Sequence, residues 1–359
     1  MSAAGIRVAV AGVEAGVEPA WLARRAGGPE ALLRMSRRAL IGMGAPADLA
    51  SALAKTRSLD VERYRAQLAA RGIGCLGADD AEFPPELRDL ADPPVALFTR
   101  GALVPAATAR RVAIVGSRRP TDAGLRLARD LARFAAGSGV TVVSGLALGI
   151  DAAAHAGALD AGGPTIAVLG CGVDVVYPKT NAGLFARVEE AGLLLSEYPP
   201  GTPPAPWRFP ARNRLIAALA GTLLVVEARA RSGALITADR ALDLGRDVLA
   251  VPGSPTAAGA AGTNALLKAG AGLVEDAADL AGWLAVPPPD ARPPAVTGDA
   301  ARLLDELARE PADPDTLATR LRRSPAEVAA AIVRLELEGL VARDADGRLS
   351  PAGRRQAGW

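Results

Sequence analysis

The chain has 359 residues, half of them hydrophobic, which is enough for two or three domains and a substantial buried core. Its net charge of +2 excludes a uniformly basic coat, so any grip on a polyanion must be local. Aromatic residues make up only 3%, which leaves the cores to Ala, Leu, Val and Ile and singles out each aromatic on a polar segment.

Residues 1–80 predict a small helical domain, because Leu22, Leu32, Leu33, Leu40, Leu49, Leu53, Leu59 and Leu68 recur at helix-like intervals between Gly and Pro breaks. The first residues, MSAAGIRVAVAGVEAGVEP, hold one Arg and an apolar stretch broken by Glu14, a poor signal peptide. The longest apolar run, residues 215–226, is too short to span a bilayer and is flanked by Arg214 and Glu227, so no membrane partner is expected. Cys75 and Cys171 form neither a metal-ligand spacing nor a disulfide framework, which points to a reducing, cytoplasmic location and to no metal.

Residues 81–285 predict an α/β domain. RVAIVG, VTVVSG, PTIAVLG, LLLSEY, TLLVVEA and DVLAVPG are apolar on both faces and alternate with helical stretches such as TDAGLRLARDLARFAAG. A doubly wound, Rossmann-like parallel sheet with helices on each side follows. The Pro-rich stretch VPPPDARPPAV at 286–296 has the composition of a semi-rigid linker. In residues 297–359, helices at 299–310 and 313–321 precede a third, running to Leu340 and opened by the capping box Ser324-Pro325-Ala326-Glu327. With a hairpin around Asp346-Gly347, these make a winged-helix domain.

Ligands of an open parallel sheet bind outside the carboxyl ends of its strands. Gly116 to Pro120, Ser144 to Gly149, Gly170 to Gly172 and Glu227 to Gly233 stand there, and their glycines, with Ser117 and Arg118, suit an anion at helix N-termini. Each glycine alone is equally explained by relief of strain at a turn. No GxxxxGK[ST] occurs, and Gly170-Cys171-Gly172 runs into Val173-Asp174-Val175, which breaks GxGxxG; ATP hydrolysis and NAD chemistry are disfavoured, and no cofactor is expected. His155, the one histidine, has no nucleophile or metal-ligand companion and reads as structural. The stretch 196–221 reads as a Pro-rich loop interleaving Tyr198, Trp207 and Phe209 with Arg208, Arg212 and Arg214, the combination that holds single-stranded nucleic acid. Phe209 leans to stacking, whereas Trp207 is expected to fold back as a satellite core.

The blocks GSRRPTDAG, VSGLALGIDAAAH, TIAVLGCGVDVVYPKTN, LLSEYPPGTPP, FPARNRLIAAL, VVEARARSGALITADRAL, GRDVLAVPG and GTNALLKAGA resemble, in order, those of the DprA/Smf family (DNA-processing protein A), over about residues 80–285. The resemblance implies a helical N-terminal region, an extended Rossmann domain and often a C-terminal winged helix. It implies a recombination mediator that binds and protects incoming single-stranded DNA and loads RecA during natural transformation, working as a homodimer through the Rossmann domain, and not an enzyme. Carried over by motif, Ser117, Arg118 and main-chain amides near Gly145 and Gly149 would bind backbone phosphate, reinforced by Lys179. Phe209 would stack on a base; Arg212, Asn213 and Arg214 would shape the pocket or contact phosphate, unless one pairs internally with Glu227; Ser232 and Gly233 would complete the rim.

Two other readings compete. Rossmann-like phosphoribohydrolases of the lysine-decarboxylase-like group carry PGGxGTxxE, whereas residues 227–233 here read EARARSG. A winged-helix transcription factor would read duplex DNA through its third helix. Residues 325–340 set Glu327, Glu336 and Glu338 against Arg334, the wrong sign to meet phosphates, so this domain is expected to be an accessory or protein-contact module.

Overall fold

The computed structural model describes residues 22, 25–47, 50, 51, 53, 61–77, 80–88, 90–94, 96–102, 110–288, 299–337, 340–344 and 347–351. They belong to two compact units, Met1–Pro289 and Asp290–Trp359. The stretch 1–19, read as a poor signal peptide, most of the expected linker at 286–296, Leu49, Leu59, Glu338, Asp346 and the side chain of Leu33 lie outside them.

The first unit opens with helices α1 (Pro29–Arg34), α2 (Arg37–Gly42) and α3 (Val61–Ala69). Leu22, Leu32, Leu40, Leu53 and Leu68 are buried, as their spacing predicts. Strand β1 (Gly74–Gly77), the short helix α4 (Pro85–Arg88) and β2 (Ala96–Gly101) follow. The sheet thus begins before the expected boundary at 81: β1 pairs antiparallel with β2, which pairs antiparallel with β6 (Leu193–Ser196).

The remaining strands are β3 (Arg111–Val115), β4 (Thr141–Ser144), β5 (Thr165–Val168), β7 (Thr222–Val225), β8 (Asp247–Ala250) and β9 (Gly272–Leu273). Nine strands lie in the order β1-β2-β6-β5-β4-β3-β7-β8-β9, all parallel from β6 onward. The helices are α5 (Asp122–Gly137), α6 (Ile150–Asp160), α7 (Ala182–Ala191), α8 (Arg208–Leu219), α9 (Gly233–Asp243), α10 (Ala261–Lys268) and α11 (Ala277–Leu284). The chain winds outward from β3 through β4, β5 and β6, then returns to β7 on the other side. The order therefore reverses between β3 and β7, where a doubly wound sheet opens its crevice.

Side chains of a strand alternate between faces. Ala113, Val115, Val143, Ile166, Leu223 and Val225 pack under α8 and α9. Val112, Ile114, Val142 and Leu224 pack under α5, α6 and α11. On the second face α5 and α6 contribute mostly alanine, and the two helices meet so closely that a Cβ on Gly157 would overlap the carbonyl oxygen of Arg129. Among the described residues no helix is long and apolar enough to cross a membrane.

The second unit comprises α12 (Asp299–Arg309), α13 (Pro314–Leu321), α14 (Pro325–Leu337) and the hairpin β10 (Val341–Arg343) with β11 (Leu349–Pro351). The predicted capping box is formed: the Glu327 amide donates to Ser324 Oγ at 3.3 Å, and the Ser324 amide to Glu327 Oε2 at 3.0 Å. Leu303, Leu307, Leu317, Val328, Ile332, Leu335, Val341 and Leu349 close one small core, and Ala312 bridges to Leu349. This is the expected winged helix.

Candidate functional site

The loops after β3, β4, β5 and β7 and the N-terminal half of α8 enclose an open groove of about 640 Å³ along the carboxyl edge of the sheet. The stretch 196–221, expected as a loop throughout, is helical from Arg208. Pro210 falls in the first turn, where a missing N–H forfeits no intrahelical bond. At 3.6 residues per turn, Phe209, Arg212, Asn213 and Ile216 share the face that lines the groove.

The half-buried ring of Phe209 stacks on Tyr177, with centroids 5.5 Å apart and planes at 26°, and the Arg118 guanidinium lies 5.5 Å from its centroid. Trp207 departs from expectation. It is 42% exposed, because the interior place beside it is taken by Tyr198, which is 9% exposed and meets the indole at 86°.

The Ser117 loop is braced on three sides. Its amide donates to the Glu227 carbonyl at 2.7 Å, its carbonyl accepts from Ile150 at 3.1 Å, and its Oγ accepts from the Arg119 amide at 3.0 Å. Gly149, at φ +80°, lets the start of α6 approach so closely that a Cβ there would overlap the Ser117 carbonyl. The amide of Gly145, expected to face phosphate, instead donates to Asp151 Oδ2 at 3.2 Å. The next amide, of Leu146 at φ 54°, donates to His155 Nε2 at 3.3 Å, while His155 Nδ1 lies 2.7 Å from Thr165 Oγ1, which donates to the Val142 carbonyl. Since Thr165 spends its proton on Val142, the imidazole carries its own on Nδ1. Burial, reinforced by the nearby Arg212 charge, pushes its pKa down to about 3. His155 is a neutral strut under a strained loop.

The expected trio Arg212, Asn213 and Arg214 is split by the helix. Arg212 is 3% exposed at the groove floor and donates to the carbonyls of Gly145 and Val168, tying together the ends of β4 and β5. Burial raises the pKa of Asp151 beside it, opposed by the Arg212 charge. Asn213 donates to the Gly233 carbonyl at 3.3 Å, joining α8 to α9. Arg214, 200° round the helix from Arg212, leaves the groove altogether. It holds Glu197 through two bonds of 2.8 and 2.7 Å and donates to the Asp92 carbonyl at 3.0 Å. Neither arginine pairs with Glu227, which instead accepts from the amide and hydroxyl of Thr121 at the start of α5.

Ser232 caps α9 by accepting from Ala234, and with Gly233 forms the far wall of the groove. Lys179 is exposed two residues beyond Tyr177 and outside the lining. Tyr177 was assigned no role by the sequence reading, and Arg119, Arg229 and Arg231, which that reading placed at the strand ends within 116–120 and 227–233 but gave no role, also line the groove. Tyr177 had a signal, as an aromatic in a strand-to-helix loop; Arg229 and Arg231 alternate in EARARSG just past β7. Among the described residues no carboxylate forms an ion pair with Arg118, Arg119, Arg229 or Arg231. Uncompensated guanidinium groups around a stacked ring pair complement a molecule that is anionic along its backbone and carries planar groups.

Comparison with known proteins agrees with this architecture. Residues 287–347 match the DprA winged helix domain. Protein Smf of Synechocystis sp. is 45% identical over 202 residues, which are 55% of this chain and 51% of that protein, so the match spans about half of its length. The X-ray structure of DNA processing protein A from Streptococcus pneumoniae superposes with a TM-score of 0.63 at 34% identity, covering 77% of this chain and 96% of that one. A structure of the Helicobacter pylori DNA processing protein A, which concerns its single-stranded DNA binding mode, gives 0.53 at 33% identity, covering 57% and 91%. Residues 74–284, well over half of the chain and the whole of the sheet, match DNA recombination-mediator protein A, and the chain belongs to that family, which mediates DNA processing and recombination.

Proposed function

We propose that the chain is a single-stranded-DNA-binding recombination mediator whose groove holds one extended strand. Phosphates would lie against Arg118, Arg119, Arg229 and Arg231, and a base against the outer face of Tyr177, which is 41% exposed above Phe209. The observation that carries this reading is the coincidence, in one groove, of unpaired arginines with a stacked aromatic pair. Cations alone would take any polyanion, but ring faces reward only bases that are free of a duplex stack. The Helicobacter pylori relative, whose structure concerns single-stranded DNA binding, supports it.

Binding fits the groove better than catalysis. Both ring nitrogens of His155 are engaged, and burial pushes the Cys171 thiol up to about 11, so neither is a poised base or nucleophile. In the cytoplasm the bound strand would be protected and passed to RecA, during natural transformation or in repair of the cell's own DNA, by a homodimer formed through the first unit.

The test is titration of labelled oligo-dT, with RecA assembly on strands coated by single-strand-binding protein as a second readout. Arg118→Ala should weaken binding and lower the salt slope by about one counterion. Tyr177→Ala, which removes the ring that takes the base, should weaken it roughly five- to a hundredfold, and both should slow RecA assembly. Wild-type affinity in both variants would overturn the assignment of the groove.

A further inference from the structure

We infer that Trp207 is a second nucleobase platform, standing where the strand leaves the groove; this rests on the reading of the groove as a single-strand site. In a chain with 3% aromatic residues, a 42% exposed indole at the N-cap of α8 is costly unless something covers it. The ring packs on two neighbours. Tyr198 meets it at 86° with centroids 6.2 Å apart, and the guanidinium of Arg208 lies 5.1 Å from its centroid and 5.0 Å from that of Tyr198. Arg208 is itself anchored on the Pro203 carbonyl.

Trp207 also has the right neighbours. Pro206 before it and Phe209 after it both line the groove, whereas the indole, two positions from Phe209 on the helix, points away from the Tyr177–Phe209 pair. A strand that seats one base at Tyr177 and continues past Pro206 therefore meets the indole next. The border favours a nucleobase over a protein partner: the ring adjoins the Arg208 cation and a groove of unpaired arginines, which draw in phosphate, rather than a continuous apolar surface. The contact is π-stacking of a neutral base, with no covalent step.

Intrinsic tryptophan fluorescence of the full chain, titrated with oligo-dT alongside anisotropy of the labelled oligonucleotide, tests this. Wild-type emission should be quenched on binding; in Trp207→Phe the quench should vanish while affinity is largely kept by the smaller ring; Trp207→Ala should bind roughly five- to a hundredfold more weakly. Tight binding with no quench, a quench that persists in Trp207→Phe, or full affinity in Trp207→Ala would each overturn the platform while leaving the groove assignment intact. Failure of the wild-type chain to bind oligo-dT at all would instead overturn the groove reading beneath it. Slower RecA assembly by Trp207→Ala at unchanged DNA affinity would show that the indole docks a protein, which also refutes the platform.

Discussion

Arg118 and Arg214 are both motif arginines, in the blocks GSRRPTDAG and FPARNRLIAAL, yet the structure gives them different work. Arg118 is exposed over Phe209, whereas the Arg214 side chain is 11% exposed against a Glu197 that is 12% exposed. Removing one partner of such a pair leaves the other charge stranded, so Arg214→Ala should cost about 2–4 kcal/mol in urea unfolding while the folded fraction binds oligo-dT with unchanged affinity. His155 predicts a pH effect of definite sign. Its folded pKa of about 3 lies below the ordinary 6.5, so the unfolded chain binds the extra proton between those values. The stability it contributes is complete above about 6.5 and is lost as pH falls toward 3. Asp151, pushed up by burial, contributes in the opposite direction, so the His155 contribution is read as the difference between wild type and His155→Gln. Urea midpoints should converge as pH falls from 7 to 4, and parallel profiles would refute the neutral strut. The sequence marked Arg212 and Arg214 alike because both sit in FPARNR; which faces the groove depends on a helix that the prolines concealed.

At the scale of elements, the strands were legible where burial on both faces forces a run of apolar residues, as in RVAIV of β3 and TIAV of β5. The strands β1, β2 and β9 and the start of α8 were not. GCLG of β1 has no such run because one side of this edge strand is only partly covered, and α8 begins inside a stretch whose prolines at 199, 200, 203, 204, 206 and 210 read as loop. The alanine-rich contact between α5 and α6 was foreshadowed by composition, since small side chains permit close helices. Gly157→Ala puts a Cβ onto the Arg129 carbonyl, so the helices must separate; a lowered thermal midpoint, by several degrees, is expected, against the slight rise that Gly→Ala gives in an unobstructed helix.

At the scale of the whole molecule, the sheet's reversal point places the groove entirely within the first unit. The winged helix carries its own core and cap. On α14, Glu327 is held by its capping box and Glu336 by Arg343, so the helix presents carboxylates where a reader of duplex DNA presents cations. Deleting residues 290–359 should therefore leave oligo-dT binding unchanged, checked on the purified first unit. The most direct measurement is fluorescence anisotropy of labelled oligo-dT against the matching duplex at two salt concentrations. Tighter binding of the single strand, with a preference that survives the higher salt because stacking is not screened, is the predicted result. Equal or duplex-favoured binding that collapses with salt would contradict the account, reducing the groove to a patch of charge.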